Sequence, residues 1–205
     1  MALAALTPQP LTLAAFALLL AGAMATAAIL AHSLRKVRSH DWVVASGWGF
    51  GGAVAVGTGL WVLQLGLWYA VQTVPNDWFA VRPFVAAWGV AAAVCALALI
   101  VARWLPSPAW VNAAMLGLLV PLMVVVFVLL GAATAAPPNW QGLTAGPTLA
   151  ALGTLAVGLG LALVLLNGPL RAVFAGALGQ RLIGTFVFAL AWVFGQWLAD
   201  RKSVV

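Results

Sequence analysis

Charge is scarce in this chain. Of 205 residues only 6% are charged, and the acidic side amounts to three aspartates with no glutamate. A soluble domain carries about 25% charge, and a sphere of this size cannot cover its surface with so few ions. A water-soluble enzyme, a disordered chain and a stand-alone nucleic-acid binder are all excluded. The single cysteine, Cys95, has no disulfide partner and builds no metal cluster. It reads as a small buried residue in an apolar helix. The two histidines, His32 and His40, flank one basic stretch and read as solvated loop residues. They cannot clasp a haem at the bilayer centre, which needs facing ligands. The two lysines, Lys36 and Lys202, fall at the ends of apolar runs, so no Schiff-base lysine lies inside a membrane. Asp41, Asp77 and Asp200 sit at run ends or in turns, which leaves a proton-coupled pump without its intramembrane carboxylate. Protease sets and phosphate-binding loops are missing. The chain is expected to be no enzyme and to carry no cofactor and no metal.

What is abundant is apolar surface. Sixty-five per cent of the residues are hydrophobic, the mean hydropathy is +1.14, and the net charge is +6. A membrane helix needs about 20 mostly apolar residues. Six stretches qualify: 11–31, 42–71, 84–104, 110–133, 148–166 and 182–198. The fold predicted is all-α, a polytopic membrane helix bundle of about six transmembrane helices in one domain, 1–205. The first stretch resembles a signal peptide in hydropathy, but MALAALTPQP before it has no Lys or Arg. It is therefore expected to be a retained membrane helix. The segment Arg171 to Arg181, apolar between arginines, reads either as an interfacial helix or as an early start to the last span.

The second and fourth stretches are followed by Pro/Asn/Trp loops, VPNDWFAVRPF and APPNWQGLTAGP. Three repeated helical hairpins produce this order, although residue identity between them is weak. Cations set the orientation. With both termini outward, the inner loops hold Arg35, Lys36, Arg38, Arg103, Arg171 and Arg181. The outer side then holds Arg82, Arg201 and Lys202.

Small residues crowd the second stretch, SGWGFGGAVAVGTG, where Gly47 and Gly51 stand at i, i+4. Such faces let membrane helices approach closely, within the bundle or against another subunit. Gly57 and Gly59 continue the glycine-rich run. Eleven tryptophans accompany one tyrosine. Trp42, Trp78, Trp104, Trp110, Trp140 and Trp197 fall at run ends, as an interfacial aromatic belt does. Trp48, Trp61, Trp68, Trp88 and Trp192 lie deeper and read as packing. The uncharged polar residues inside the runs are Thr58, Gln64, Gln72, Thr185 and Gln196. Gln64 stands out, flanked by Trp61, Trp68 and Tyr69. A buried glutamine needs hydrogen-bond partners, from a neighbouring helix or from a small ligand held among those aromatics.

The segment GGAVAVGTGLWVLQLGLWYAV, Gly51 to Val71, resembles the MHYT domain, a bacterial integral membrane sensor family. In that family helices end near the outer face in patterns like GxGIWxMHFxGM. Gly57, Gly59, Leu60 and Trp61 match the glycine-rich lead-in and the tryptophan. The resemblance implies repeated helix pairs and a metal, plausibly copper, held by Met and His to sense a diatomic gas. Met and His suit copper. Here Leu63, Gln64 and Trp68 occupy the Met, His and later Met positions. In the fourth run Met123 keeps the methionine and Val124 replaces the histidine. The resemblance thus implies a scaffold that has outlived its metal site.

Three functions are expected in descending order. The first is a non-catalytic accessory or scaffold subunit of a larger bacterial inner-membrane complex, multi-pass with both termini periplasmic. Its partners are the lipid bilayer and other membrane subunits. The second is a diverged sensor or binder of a quinone, lipid, pigment or gas through Trp61, Gln64, Trp68 and Tyr69. The third is a small permease, hinted at by Pro121 and the glycines of the second run.

Overall fold

The computed structural model describes residues 13–71, 80–133, 145–167 and 177–200. They form six helices: α1 Leu13–Lys36, α2 Trp42–Val71, α3 Val81–Trp104, α4 Pro108–Ala133, α5 Ala145–Asn167 and α6 Ala177–Asp200. Among the described residues there is no strand. By length and composition, four segments can cross a membrane: Ala14–Lys36, Trp42–Gly66, Val81–Trp104 and Pro108–Leu130. The apolar segments Leu152–Asn167 and Leu178–Phe194 are shorter. At 30 residues, α2 is about 45 Å long, more than the roughly 30 Å hydrocarbon core.

The helix ends differ from the sequence expectation in one direction. α1 continues through Arg35 and Lys36, and α6 starts at Ala177 rather than at residue 182. Basic side chains near a helix C-terminus favour the macrodipole, so the cations at the end of α1 extend the helix rather than break it. Of Arg171 to Arg181, the part from Ala177 belongs to α6, and 171–176 lie outside the described residues. The loops after α2 and α4 lie outside them too, with Trp78 and Trp140.

Local chemistry sets two of the starts. Asp41 Oδ1 accepts the amides of Val43 at 2.9 Å and Val44 at 3.3 Å, an N-cap for α2. Ser107 and Pro108 open α4, with Trp110 N 3.5 Å from Ser107 Oγ and proline at the first helical position.

The helices close a ring in chain order. Each packs on its sequence neighbours, and α6 returns to α1. Among the described residues the α4–α5 seam is the least extensive of the six neighbour contacts. The ends of α1, α3 and α5 and the starts of α2, α4 and α6 share one face of the bundle. Three cross-links mark it. Arg103 Nη1 donates to Val37 O at 3.0 Å, and Arg38 Nη2 donates to Leu105 O at 2.6 Å. Asn167 Nδ2 donates to Asn112 Oδ1 at 2.9 Å. This end carries Arg35, Lys36, Arg38, Arg103 and Arg181, while Arg82, near the start of α3, lies at the other.

The core is small and smooth. Ala23, Ala27, Ala87, Ala91 and Ala102 are fully buried with Leu99, Leu159 and Leu163. Trp192 stacks on Phe188, ring centroids 6.0 Å apart. Lipid tails are as apolar as leucine, so close packing rather than water exclusion holds such helices together.

Candidate functional site

The glycines of α2 divide by face. A Cβ on Gly57 would fall 2.6 Å from Ala92 Cα, against the backbone of α3. Gly59 abuts the Thr26 side chain and Gly52 the Ser33 side chain, both on α1. These glycines let α1 and α3 press against α2. Gly47 and Gly51 do the opposite. They face outward, and a Cβ on either would meet nothing within 4 Å. Of the two expectations for them, packing within the bundle is not where they lie among the described residues, and their face stays open to another subunit. Gly52, one residue further round, packs the bundle instead, because a 100° turn carries it from the outer face to the α1 side.

The missing side chains leave a trough on α2 of about 500 Å³, lined by Val43, Val44, Gly47, Trp48, Gly51 and Gly52. Trp48 packs against His32 of α1, ring centroids 4.6 Å apart and planes tilted by 51°. His32 is thus a half-buried helix residue, not a loop residue, and only His40 is exposed in the turn. Arg35, Lys36 and Arg181 lie close enough to His32 to act on it electrostatically. Ser33, next along α1, is fully buried, and its hydroxyl has no hydrogen-bond partner.

The pocket expected around Gln64 is only partly in view. Gln64 is 2% exposed, deep in the bundle. Trp61 packs edge-on to Phe84 of α3 at 4.5 Å, and its buried indole nitrogen has no partner. The side chains of Trp68 and Tyr69 lie outside the described residues, as do those of Gln196 and Trp197, and Gln72 altogether. Thr58 accepts the Trp88 indole N–H at 2.9 Å on the outer surface. Trp88 is 38% exposed, so its contact with α2 lies on the outer surface of the bundle rather than in the core. Trp42, Trp104 and Trp110 are exposed at the cationic end, where a belt belongs. Thr185 bonds its own helix at Leu182 O, 2.9 Å.

Sequence reasoning missed Ser33, Asn112 and Gln180. All three are buried polar residues near helix ends, and Gln180 Nε2 donates to Leu165 O at 2.6 Å. Their signal was polarity at a run boundary, which is shared with ordinary loop residues. Among the described residues no three His, Cys, Asp or Glu side chains gather as a metal site would need. No family model, curated protein or solved structure matches the chain.

Proposed function

We propose that this chain is a non-catalytic accessory subunit of a larger assembly in a bacterial inner membrane, with both termini on the periplasmic side. The observation that supports it lies on α4. Pro121 lies inside this continuous helix and is exposed, as is Gly117 one turn earlier. Proline has no N–H, so the Gly117 carbonyl loses its helical donor. A Cβ on Gly117 would meet nothing within 4 Å, so the helix face at Gly117 is open among the described residues. Hydrocarbon offers no donor to such a carbonyl, and membrane proteins meet this need from neighbouring helices. A helix of another subunit can approach closely at Gly117 and donate there. Gly153 on α5 is likewise outward with open space. The orientation places five described cations on the cytoplasmic side.

The test is the particle itself, extracted in mild detergent from its native membrane and weighed. Stoichiometric foreign subunits are the expected result, and their identity names the process served. A bare particle of one to three copies sinks the reading.

The buried indole nitrogen of Trp61, which has no hydrogen-bond partner, favours a second reading, a diverged MHYT-like binder of a quinone, lipid, pigment or gas. It predicts a small molecule that co-purifies with the bare chain and is lost in Gln64→Leu but kept in Gly117→Leu.

A further inference from the structure

Positive charge gathers at one corner of the bundle, where the end of α1 meets the start of α6. The two helices pack on each other, and α1 ends where α6 begins, on the cationic face. His32, Arg35 and Lys36 stand at i, i+3 and i+4, on one side of α1. Arg181 comes from the second turn of α6. All three cations lie close enough to His32 to act on it electrostatically, so the four side chains share one neighbourhood. Arg35, Lys36 and Arg181 are exposed, and His32 is half-buried against Trp48. His32, Lys36 and Arg181 make no hydrogen bond or ion pair with a described residue. The acids among the described residues are committed elsewhere. Asp41 gives its carboxylate to the amides of Val43 and Val44, and Asp200 ends α6 at the opposite face. Arg38 and Arg103 share the cationic end but are already bonded to carbonyls. Like charges drawn together across a helix seam repel one another, and a bound anion reverses that sign.

We infer that Lys36 and Arg181, with Arg35 and His32 beside them, hold one phosphate group at the α1–α6 seam. A guanidinium offers phosphate a fork of two donors and an ammonium a point charge. A neutral imidazole adds one N–H. Two sources carry this chemistry, an anionic phospholipid and free inorganic phosphate. Depth favours the lipid. α1 runs toward the cationic end and α6 away from it, so Ile29 and Phe186 lie deeper than the cations, and both are exposed. A lipid phosphate at the corner therefore has apolar side chains on the side where its acyl chains lie. Basic pockets between membrane helices suit anionic headgroups in this way. The inference stands apart from the accessory-subunit reading, because a bare chain would bind the phosphate equally.

Native mass spectrometry of the purified full chain tests it, with phosphatidylglycerol and phosphatidylcholine of identical acyl chains added in turn, and inorganic phosphate added alone. One phosphatidylglycerol per chain is expected to survive activation that strips phosphatidylcholine. Arg181→Gln and Lys36→Gln should each cut that preference about fivefold, the usual weight of one cation at an anionic surface, with phosphatidylcholine unchanged. Arg181→Lys keeps the charge and should keep most of the preference. A single phosphate adduct that Arg181→Gln abolishes, without any lipid preference, assigns the site to free phosphate. Equal retention of the two lipids with no phosphate adduct overturns the inference. So does an equal loss in Arg38→Gln, whose guanidinium already serves Leu105 O, because the preference would then belong to the cationic end as a whole. So does an Arg181→Gln variant that sheds a protein partner in membrane extracts while its lipid and phosphate binding stay constant, because the corner would then hold an acidic protein surface.

Discussion

Arg38 and Arg103 each bond a carbonyl at the end of the helix that the other serves. Arg103, in the last turn of α3, donates to Val37 O just past α1, at 3.0 Å. Arg38, just past α1, donates to Leu105 O, the C-cap of α3, at 2.6 Å. The last carbonyls of a helix have no intrahelical partner, and a guanidinium also favours the negative end of the dipole. The exchange ties α1 to α3 beside α2.

Removing one half of this exchange should loosen it unequally. Arg103, partly buried, carries more of the contact than exposed Arg38. Arg103→Ala is expected to cost about 1–2 kcal/mol and Arg38→Ala about 0.5–1. Thermal unfolding of the purified single and double variants in one detergent reads this. Strict additivity would mean that the two bonds do not act together.

The two classes of α2 glycine should respond oppositely to one methyl group. Gly57→Ala drives a Cβ to 2.6 Å from the Ala92 Cα. It should destabilise by about 1–3 kcal/mol through overpacking. Gly47→Ala meets open space and should be neutral or gain up to about 1 kcal/mol of helix propensity. A paired melting experiment decides it, and equal effects would refute the assigned helix rotation.

Asn112 and Asn167 hold the α4–α5 seam with one side-chain bond of 2.9 Å. Buried polar pairs between membrane helices average about 0.6 kcal/mol, with a maximum near 1.7. A double-mutant cycle through Asn112→Ala and Asn167→Ala should return a coupling in that range. Zero coupling would mean that the seam is closed by the apolar contacts alone.

Assembly should be sensitive on the outer face of α4 and α5. Gly117→Leu and Gly153→Leu insert side chains where a partner helix would approach. Each is expected to reduce the share of chain in the large native particle at unchanged melting temperature, as seen on size-exclusion of membrane extracts. Gln64→Leu should leave that share unchanged. The reverse order would favour the ligand-binding reading.

Much of the architecture was legible because membrane helices are built from local rules. The run Trp42 to Val71 was bounded from sequence where the helix lies, and the third, fourth and fifth runs came within three residues at each end. The misjudged ends, at Lys36 and Ala177, are those where charged residues belong to the helix. The site was less legible. His32 looked like a loop residue because charge follows it, yet α1 carries it into contact with Trp48. Ser33 was passed over because nothing in its sequence context distinguishes a buried serine from a loop serine.

Composition and run length by themselves determined an all-helical chain with segments able to cross a bilayer, since each helix satisfies its own backbone and needs only enough apolar residues. Helix rotation was decided by the tertiary structure alone. α2, α4 and α5 are apolar all round, and where lipid is as apolar as a protein core, hydrophobicity cannot say which side faces inward. Gly47, Gly51, Gly52 and Gly57 are alike in sequence. Only the packing of α1 and α3 against α2 makes two of them spacers inside the bundle and leaves two as an open trough.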